Sequence, residues 1–337
     1  MNFNVVGVGE VLWDLLLTGP QMGGAPANFA YHAHALGARS QVITRIGNDD
    51  LGREIIHRFH EIGLPENAVQ VDDAAPTGTA KVSLTGDGLA HFTIQEDVAW
   101  DYLAATPDAL PVARLADAFC FGSLAQRSET SRNTIQQLVA AAPTHALRVF
   151  DINLRQHYYS RDVIEQSLHV ANVLKLNDEE LPTLAAMFNL AGSTGDNSCS
   201  ADTLVRAKDG FAANTRTGVS APHKIEPQLE RLAQTFGLQV VALTRGANGS
   251  LLYQQKDGIE RWSDCASRPV QVVDTVGAGD SFTAALVLGL LQNMDLDEIN
   301  SIANEVARYV CSQPGATPPM PQEFARKFRA ARPHQPQ

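Results

Sequence analysis

Cysteine is scarce and scattered in this 337-residue chain: Cys120, Cys199, Cys265 and Cys311, with no C-x-x-C pair. That spacing excludes a disulfide scaffold and a cysteine-built metal site, and it reads as reduced thiols in a cytoplasmic protein. Basic residues are in deficit. Lys and Arg number 26 against 37 Asp and Glu, a formal net charge of −11. This argues against nucleic acid or an anionic membrane as partner, because both are bound through basic patches. No apolar run approaches the ~20 residues of a membrane helix. Met1-Asn2-Phe3-Asn4-Val5 has neither the basic region nor the apolar stretch of a signal peptide. Two phosphate-binding fingerprints are also missing. No G-x-x-x-x-G-K-[ST] occurs, which excludes a P-loop, and Gly7-x-Gly9-x-x-Leu12 lacks the third glycine of a dinucleotide-binding turn. No internal repeat is visible. What is present is 44% hydrophobic residues, enough for a sizeable core, in a length that fits two domains or one large α/β domain.

The most informative stretch is Asp274-Thr275-Val276-Gly277-Ala278-Gly279-Asp280-Ser281-Phe282, which runs into the apolar Ala284-Ala285-Leu286-Val287-Leu288. A β-type run over 269–273 leads in, and a helix starting at about Gly279 leads out. Glycines at 277 and 279 let the backbone bend closely. The first turn of a helix adds unpaired N–H groups and the positive end of its dipole. Residues 277–279 therefore read as an anion pocket made of backbone. Asp280 places a carboxylate beside it, where it could hold an acceptor hydroxyl for in-line phosphoryl transfer. The competing reading is that Asp280 is only an N-cap.

A second glycine-rich stretch lies near the N-terminus. Residues 3–9 read as a buried strand. Asp14 then sits inside the apolar run Val11-Leu12-Trp13-Asp14-Leu15-Leu16-Leu17, where an unpaired carboxylate is costly and should face a cleft or ligand. In Gly23-Gly24-Ala25-Pro26-Ala27-Asn28 a tight turn precedes a helix with proline in its first turn, and Asn28 falls on the side facing the glycines. His32, His34, His57 and His60 have no metal-binding spacing and read as non-functional. Residues 77–84 and 91–94 alternate about Gly86-Asp87-Gly88, a β-hairpin signal that interrupts the βα pattern. The hairpin is expected to stand apart with the strand around Asp14 as a lid, over 10–18 and 77–101. Asp97 and Trp100 follow it as an acid and an aromatic suited to a sugar, or as a linker with Trp100 packed beneath. From residue 116 the βα alternation resumes, with Ser128 as a helix cap. Polar clusters lie beyond two strand ends: Asp151-Ile152-Asn153-Leu154-Arg155 and Asn177-Asp178-Glu179-Glu180. On spacing alone Asn177 and Glu180 form a capping box. Residues 191–225 have loop composition and read as an insertion.

The Asp274–Phe282 motif resembles the C-terminal signature of the ribokinase-like, phosphofructokinase-B type sugar kinases, and the Gly23–Asn28 stretch resembles their N-terminal signature. The resemblance covers nearly the whole chain, its motifs occur in order, and the stretch around Asp97 is most similar to bacterial fructokinases. It implies a three-layer α/β/α core with a mostly parallel sheet and a small β lid. It also implies ATP-dependent phosphorylation of a small sugar with Mg²⁺. Asp280 would be the base, with 277–279 and the D-x-N-x-R element of Asp151, Asn153 and Arg155 at the transferring phosphate. Asp14, Gly24, Asn28, Asp97 and Trp100 would hold the sugar. Asn177 and Glu180 would organise Mg²⁺ and phosphate through water, Thr244 and Gly246 would touch the nucleotide phosphates, and Asn304 would lie against adenine. Gly47, Asp49 and Gly52 match a pattern taken as structural. The turn at Asp274 and Val276, with the loop over 313–319, could hold a monovalent cation such as K⁺. Relatives acting on phosphorylated sugars place a basic residue near Asn28. Ala25 and Ala27 cannot serve, so an unphosphorylated acceptor is favoured, D-fructose first, with ribose, 2-keto-3-deoxygluconate or a nucleoside as alternatives. A non-catalytic sugar-binding relative is the rival class. The lid edge could pair two chains into a homodimer.

Overall fold

A computed structural model describes residues 3–16, 19–84, 90–190 and 225–330 of the chain. The first strand, β1 (Asn4–Val8), is fully hydrophobic apart from Asn4 and Gly7 and is covered on both faces. Val5 points into one half of the core, and Val6 and Val8 point into the other. The same alternation recurs in β9 (Leu147–Asp151) and β10 (Val173–Asn177), where Val149 and Val173 face one way and Phe150 and Leu174 the other. Runs of this kind are what a parallel sheet buried between two helical layers requires.

Among the described residues the main sheet has nine strands. Its other members are β4 (Arg39–Gly47), β5 (Val69–Asp72), β8 (Ala118–Phe121), β11 (Val240–Thr244), β12 (Ser250–Lys256) and β13 (Ile259–Cys265). The order is β13-β12-β11-β10-β9-β8-β1-β4-β5. All neighbours are parallel except the β11–β12–β13 meander. One face carries α1 (Ala25–Ala35), α8 (Ala278–Leu291) and α9 (Leu296–Cys311), with α2 (Asp50–Ile62) packed beside α1. The other carries α3 (Ala109–Arg114), α4 (Glu129–Ala141), α5 (Arg161–Val170), α6 (Leu181–Met187) and α7 (Glu226–Phe236). The three-layer α/β core is as expected.

The separate lid sheet is also present. It is four-stranded, in the order β3-β2-β6-β7, from β2 (Leu12–Leu16), β3 (Gly19–Gly23), β6 (Gly78–Leu84) and β7 (Ala90–Ile94). Strand β3 was not expected. It pairs antiparallel with β2 and sets Asp14 opposite Gln21, so Gly23 ends a strand instead of forming a free turn. The expected strand at 269–273 does not form. That segment is irregular, with Val272 and Val273 each 59% exposed, and its tie to the fold is the pair of N–H groups of Val273 and Asp274 donating to the Cys311 carbonyl. β-Propensity alone does not make a strand where no neighbouring strand offers a ladder. Ser128 precedes α4 but does not cap it; its hydroxyl donates to the Asp101 carbonyl at 2.5 Å. The insertion expected at 191–225 and its Cys199 lie outside the described residues, apart from Ile225. Cys120, Cys265 and Cys311 are free thiols. No helix among the described residues is long and apolar enough to cross a membrane.

Candidate active site

Strand β1 lies between β8, to which the chain returns later, and β4, to which it goes next. In an open α/β sheet the crevice beyond the carboxyl ends of such strands is where ligands collect. The segments entering this crevice are the loop after β1, the N-termini of α1 and α8, and the loops after β9 and β10.

Helix α8 starts from Gly277, at φ 78°. A Cβ at that position would lie 2.2 Å from the Ala316 carbonyl oxygen, so both backbone strain and a clash reserve it for glycine. The first-turn N–H groups have no acceptor inside the helix, although the Ala278 N–H reaches the Thr275 carbonyl at 3.3 Å. Asp280 is the third residue of α8 and does not cap it. Its carboxylate instead accepts a 2.8 Å bond from the Asn28 side-chain amide, which removes the N-cap reading.

Asn28 is held there by the turn before α1. Gly24 has φ 111°, and a Cβ on it would lie 2.5 Å from the Glu10 carbonyl oxygen. That close approach seats α1 on the loop after β1, and Asn28, 4% exposed, points across to α8. His32 and Tyr31 extend the same contact. The His32 Nε2–H donates to Ala316 O at 2.9 Å, and the Tyr31 hydroxyl donates to Pro318 O at 2.8 Å. Burial pushes the imidazole down to about 4, so it is neutral. The expected absence of function at His32 thus conceals a structural link between α1 and the loop that packs on Gly277.

Three carboxyls share this crevice. Burial pushes Asp280 up to about 6, reinforced by the like charge of Asp151 and opposed by the Asn28 bond, Lys175 and Arg155. Burial also raises Asp14 to about 6 and Glu10 to about 7, and Arg155 opposes both. Arg155 is therefore the common cation of all three. Glu180 holds its loop: one carboxylate oxygen accepts from Leu154 N at 3.0 Å and the other from Asn177 N at 2.8 Å. The Asn177 side chain accepts from the N–H groups of Glu179 and Glu180. This is the reciprocal capping box, and it ties the loops after β9 and β10 together.

Beneath the first turn of α8 lies a buried ion pair that the sequence reading overlooked. Lys175 Nζ donates to Asp151 Oδ1 at 3.0 Å, and the other Asp151 oxygen accepts from the Thr283 hydroxyl at 2.9 Å. The Gly279 carbonyl lies 3.0 Å from the same hydroxyl, sharing its one proton with the Asp151 carboxylate. A Cβ on Gly279 would stand 3.0 Å from Lys175 Nζ, so the ammonium sits directly behind the second glycine of the motif. Burial works against the charged lysine, but Asp151, Glu180 and Asp280 outweigh it and hold its pKa above the ordinary value.

Comparison with known proteins bears on this arrangement. The sequence model of the pfkB family carbohydrate kinases matches residues 19–323. The chain belongs to that family. Among curated relatives, a fructokinase of Salmonella typhimurium is 29% identical over 87% of this chain and 86% of the relative. A fructokinase of Klebsiella pneumoniae is 28% identical over 91% of each. The fold is shared with an uncharacterized sugar kinase of Pyrococcus horikoshii solved in complex with ATP. The TM-score is 0.73 at 24% identity, covering 96% of this chain and 99% of that one.

Within this pfkB-family carbohydrate kinase the other expected residues divide. Asp14, Gly24, Asn28, Arg155, 277–279 and Asp280 converge on the crevice. Trp100 does not. It is 0% exposed, packed under the Arg127 guanidinium at 3.9 Å and against Gly78, so it supports the lid root and offers no face to a ligand. Asp97 is exposed in a turn after β7, at φ 54°. Thr244 ends β11, and its carbonyl accepts from Asp178 N at 3.0 Å, with Gly246 in the following turn at φ 52°. The Asn304 amide donates to Ser250 Oγ at 2.6 Å, tying α9 to β12. Asp274 accepts from Val276 N at 3.0 Å and Gly315 N at 3.1 Å. It thus bridges the two loops expected to hold a monovalent cation, while the Val276 side chain is 47% exposed. Lys175 could have been found from sequence: a lone charge inside the otherwise apolar strand Val173-Leu174-Lys175-Leu176 needs a buried partner.

Proposed function

We propose that this carbohydrate kinase transfers the γ-phosphoryl group of ATP to a hydroxyl of a small unphosphorylated sugar, D-fructose first. The carrying observation is the Asn28–Asp280 bond, which joins the glycine turn suited to a sugar to the helix N-terminus suited to a phosphate. Asp280, pushed up to about 6 by burial, is mostly ionised at neutral pH yet basic enough to take a hydroxyl proton. The acceptor oxygen bonds to the γ-phosphorus, its proton passes to Asp280, and the bond to the bridging oxygen breaks to leave ADP. The transition state is loose, so the base chiefly orients the nucleophile. The N–H groups at 277–279 and the Arg155 guanidinium face the charge on the transferring group. Asp14, Gly24 and Asn28 hold the sugar.

Mg²⁺ would enter with the nucleotide. Both Glu180 oxygens and the Asn177 side-chain oxygen are engaged by backbone N–H groups, so these residues would reach the ion through water. When bound, the ion neutralises phosphate charge. Thr244, Gly246 and Asn304 line the nucleotide side. Fructose is favoured by the fructokinase relatives and by the absence of a basic residue at Ala25 and Ala27, where a second phosphate would need one. The carbonyls around Asp274 and Val276 suit K⁺, and a lid edge suits a homodimer.

The test is ADP release from MgATP with fructose, ribose, glucose, 2-keto-3-deoxygluconate, adenosine and fructose 6-phosphate, with and without K⁺. Selective turnover of fructose is expected. Preference for fructose 6-phosphate or adenosine would overturn the sugar assignment. No turnover with any acceptor, together with measurable sugar binding, would favour a non-catalytic sugar-binding protein.

A further inference from the structure

The buried cation behind the phosphate-facing helix has no role in the reading above. Lys175 is 6% exposed and Asp151 4% exposed, so both are withdrawn from solvent beneath α8. A buried ion pair is a weak source of stability, because desolvating two charges offsets most of their attraction. This one is nevertheless placed with care. Its carboxylate is shared between the ammonium of β10 and the hydroxyl of α8, and its ammonium lies where a side chain at position 279 would be.

Five groups from different elements act on Asp280. Asn28 comes from α1, Asp151 from β9, Arg155 from the following loop, Lys175 from β10 and Glu10 from the loop after β1. Cys120 of β8 also feels Asp280, but burial pushes its thiol up and keeps it neutral. Asp151 and Lys175 act on Asp280 in opposite directions. Because they are bonded to each other, their balance is set by one contact.

We propose that the Lys175–Asp151 pair is a positioning device for Asp280. It clamps the first turn of α8 through Thr283 and sets the field in which the Asp280 carboxylate keeps or gives up its proton. The inference rests on the proposed role of Asp280, but its test does not require turnover.

The test is a carboxyl NMR titration of ¹³C-aspartate-labelled protein, with the Asp280 signal assigned by its loss in Asp280→Asn. In Asp151→Asn the like charge is gone and Lys175 faces Asp280 unopposed. The Asp280 midpoint should fall by about one pH unit or more. In Lys175→Met, Asp151 and Asp280 become a coupled pair whose second proton leaves above the wild-type midpoint. Lys175→Arg keeps the charge in a larger, planar group, and its midpoint should lie between those of Lys175→Met and wild type. If the protein is active, the acid limb of its kcat/KM profile should move the same way in each variant. A merely structural pair would lower melting temperatures without moving the midpoint. An unmoved midpoint in folded Asp151→Asn overturns the proposal, and that variant decides alone if Lys175→Met does not fold. Absence of turnover in the wild type would sink the functional reading while leaving the titration to judge this one.

Discussion

Asp280→Asn should make the protein more stable while it removes activity. The ordinary aspartate value is 3.8, and in the fold Asp280 is pushed up to about 6, chiefly by burial. A carboxyl raised on folding binds its proton more tightly in the native state. It therefore costs no stability well below 3.8, costs more as pH rises from there through 6, and reaches a plateau above 7. At 1.36 kcal/mol per unit, the shift amounts to about 0.5 kcal/mol at pH 4, about 1.6 at pH 5 and about 3 at pH 7. Asparagine removes that cost and still offers an oxygen to the Asn28 amide. With about 2.1 cal/mol/K of unfolding entropy per residue over the whole chain, 3 kcal/mol corresponds to a rise of about 4 °C in Tm. The assay is thermal unfolding of both proteins from pH 4 to 8, beside ADP release at pH 7. The expected result is a stabilisation that grows with pH and levels off near pH 7. Turnover should fall by about 10²–10⁴-fold, the usual contribution of a general base. A variant that melts at or below wild type at pH 7, or keeps a tenth of its turnover, would refute the reasoning.

Other outcomes follow from single contacts. Asn28→Ala removes the bond that opposes the rise of Asp280. The acid limb of kcat/KM should move to higher pH and the sugar KM should rise, whereas an unchanged limb would mean the bond does not bear on the base. Gly277→Ala drives a Cβ to 2.2 Å from Ala316 O at φ 78°; the α8 N-terminus must shift, and ATP-dependent turnover should drop at least tenfold even where the protein still melts cooperatively. Trp100→Ala should cost about 3–5 kcal/mol of stability as a large core truncation; a large rise in sugar KM in Trp100→Phe with unchanged Tm would instead restore Trp100 as a sugar contact.

The βα alternation, the separate lid and the two glycine-rich turns were legible in the chain. Each rests on local patterns: apolar runs bounded by glycine, proline in a first helical turn, alternation about Gly-Asp-Gly. The residues that meet in the crevice were named through the family resemblance of the two motifs, and positive φ and close approach at Gly24 and Gly277 hold those motifs in place. Strand β3 was hidden because Gly19-Pro20-Gln21-Met22-Gly23 has no strand propensity of its own and forms only against β2. The false strand at 269–273 is the converse case, with suitable residues and no ladder to join.

What only the tertiary structure decided is which of two chemically valid roles each polar residue takes. Asp280 had the composition of a cap and became a partner of Asn28. Asn177 and Glu180 form a capping box, yet they also hold the loop of Arg155. Trp100, suited to covering a sugar, went into the core. The sequence by itself determined the apolar runs, the glycine turns and the polar clusters, because those depend on neighbours in the chain, and the family resemblance supplied the fold they build. Which carboxyls share Arg155, and which cation stands behind Gly279, depend on side chains brought together from positions as far apart as Asn28 and Asp280, and that meeting is set by packing.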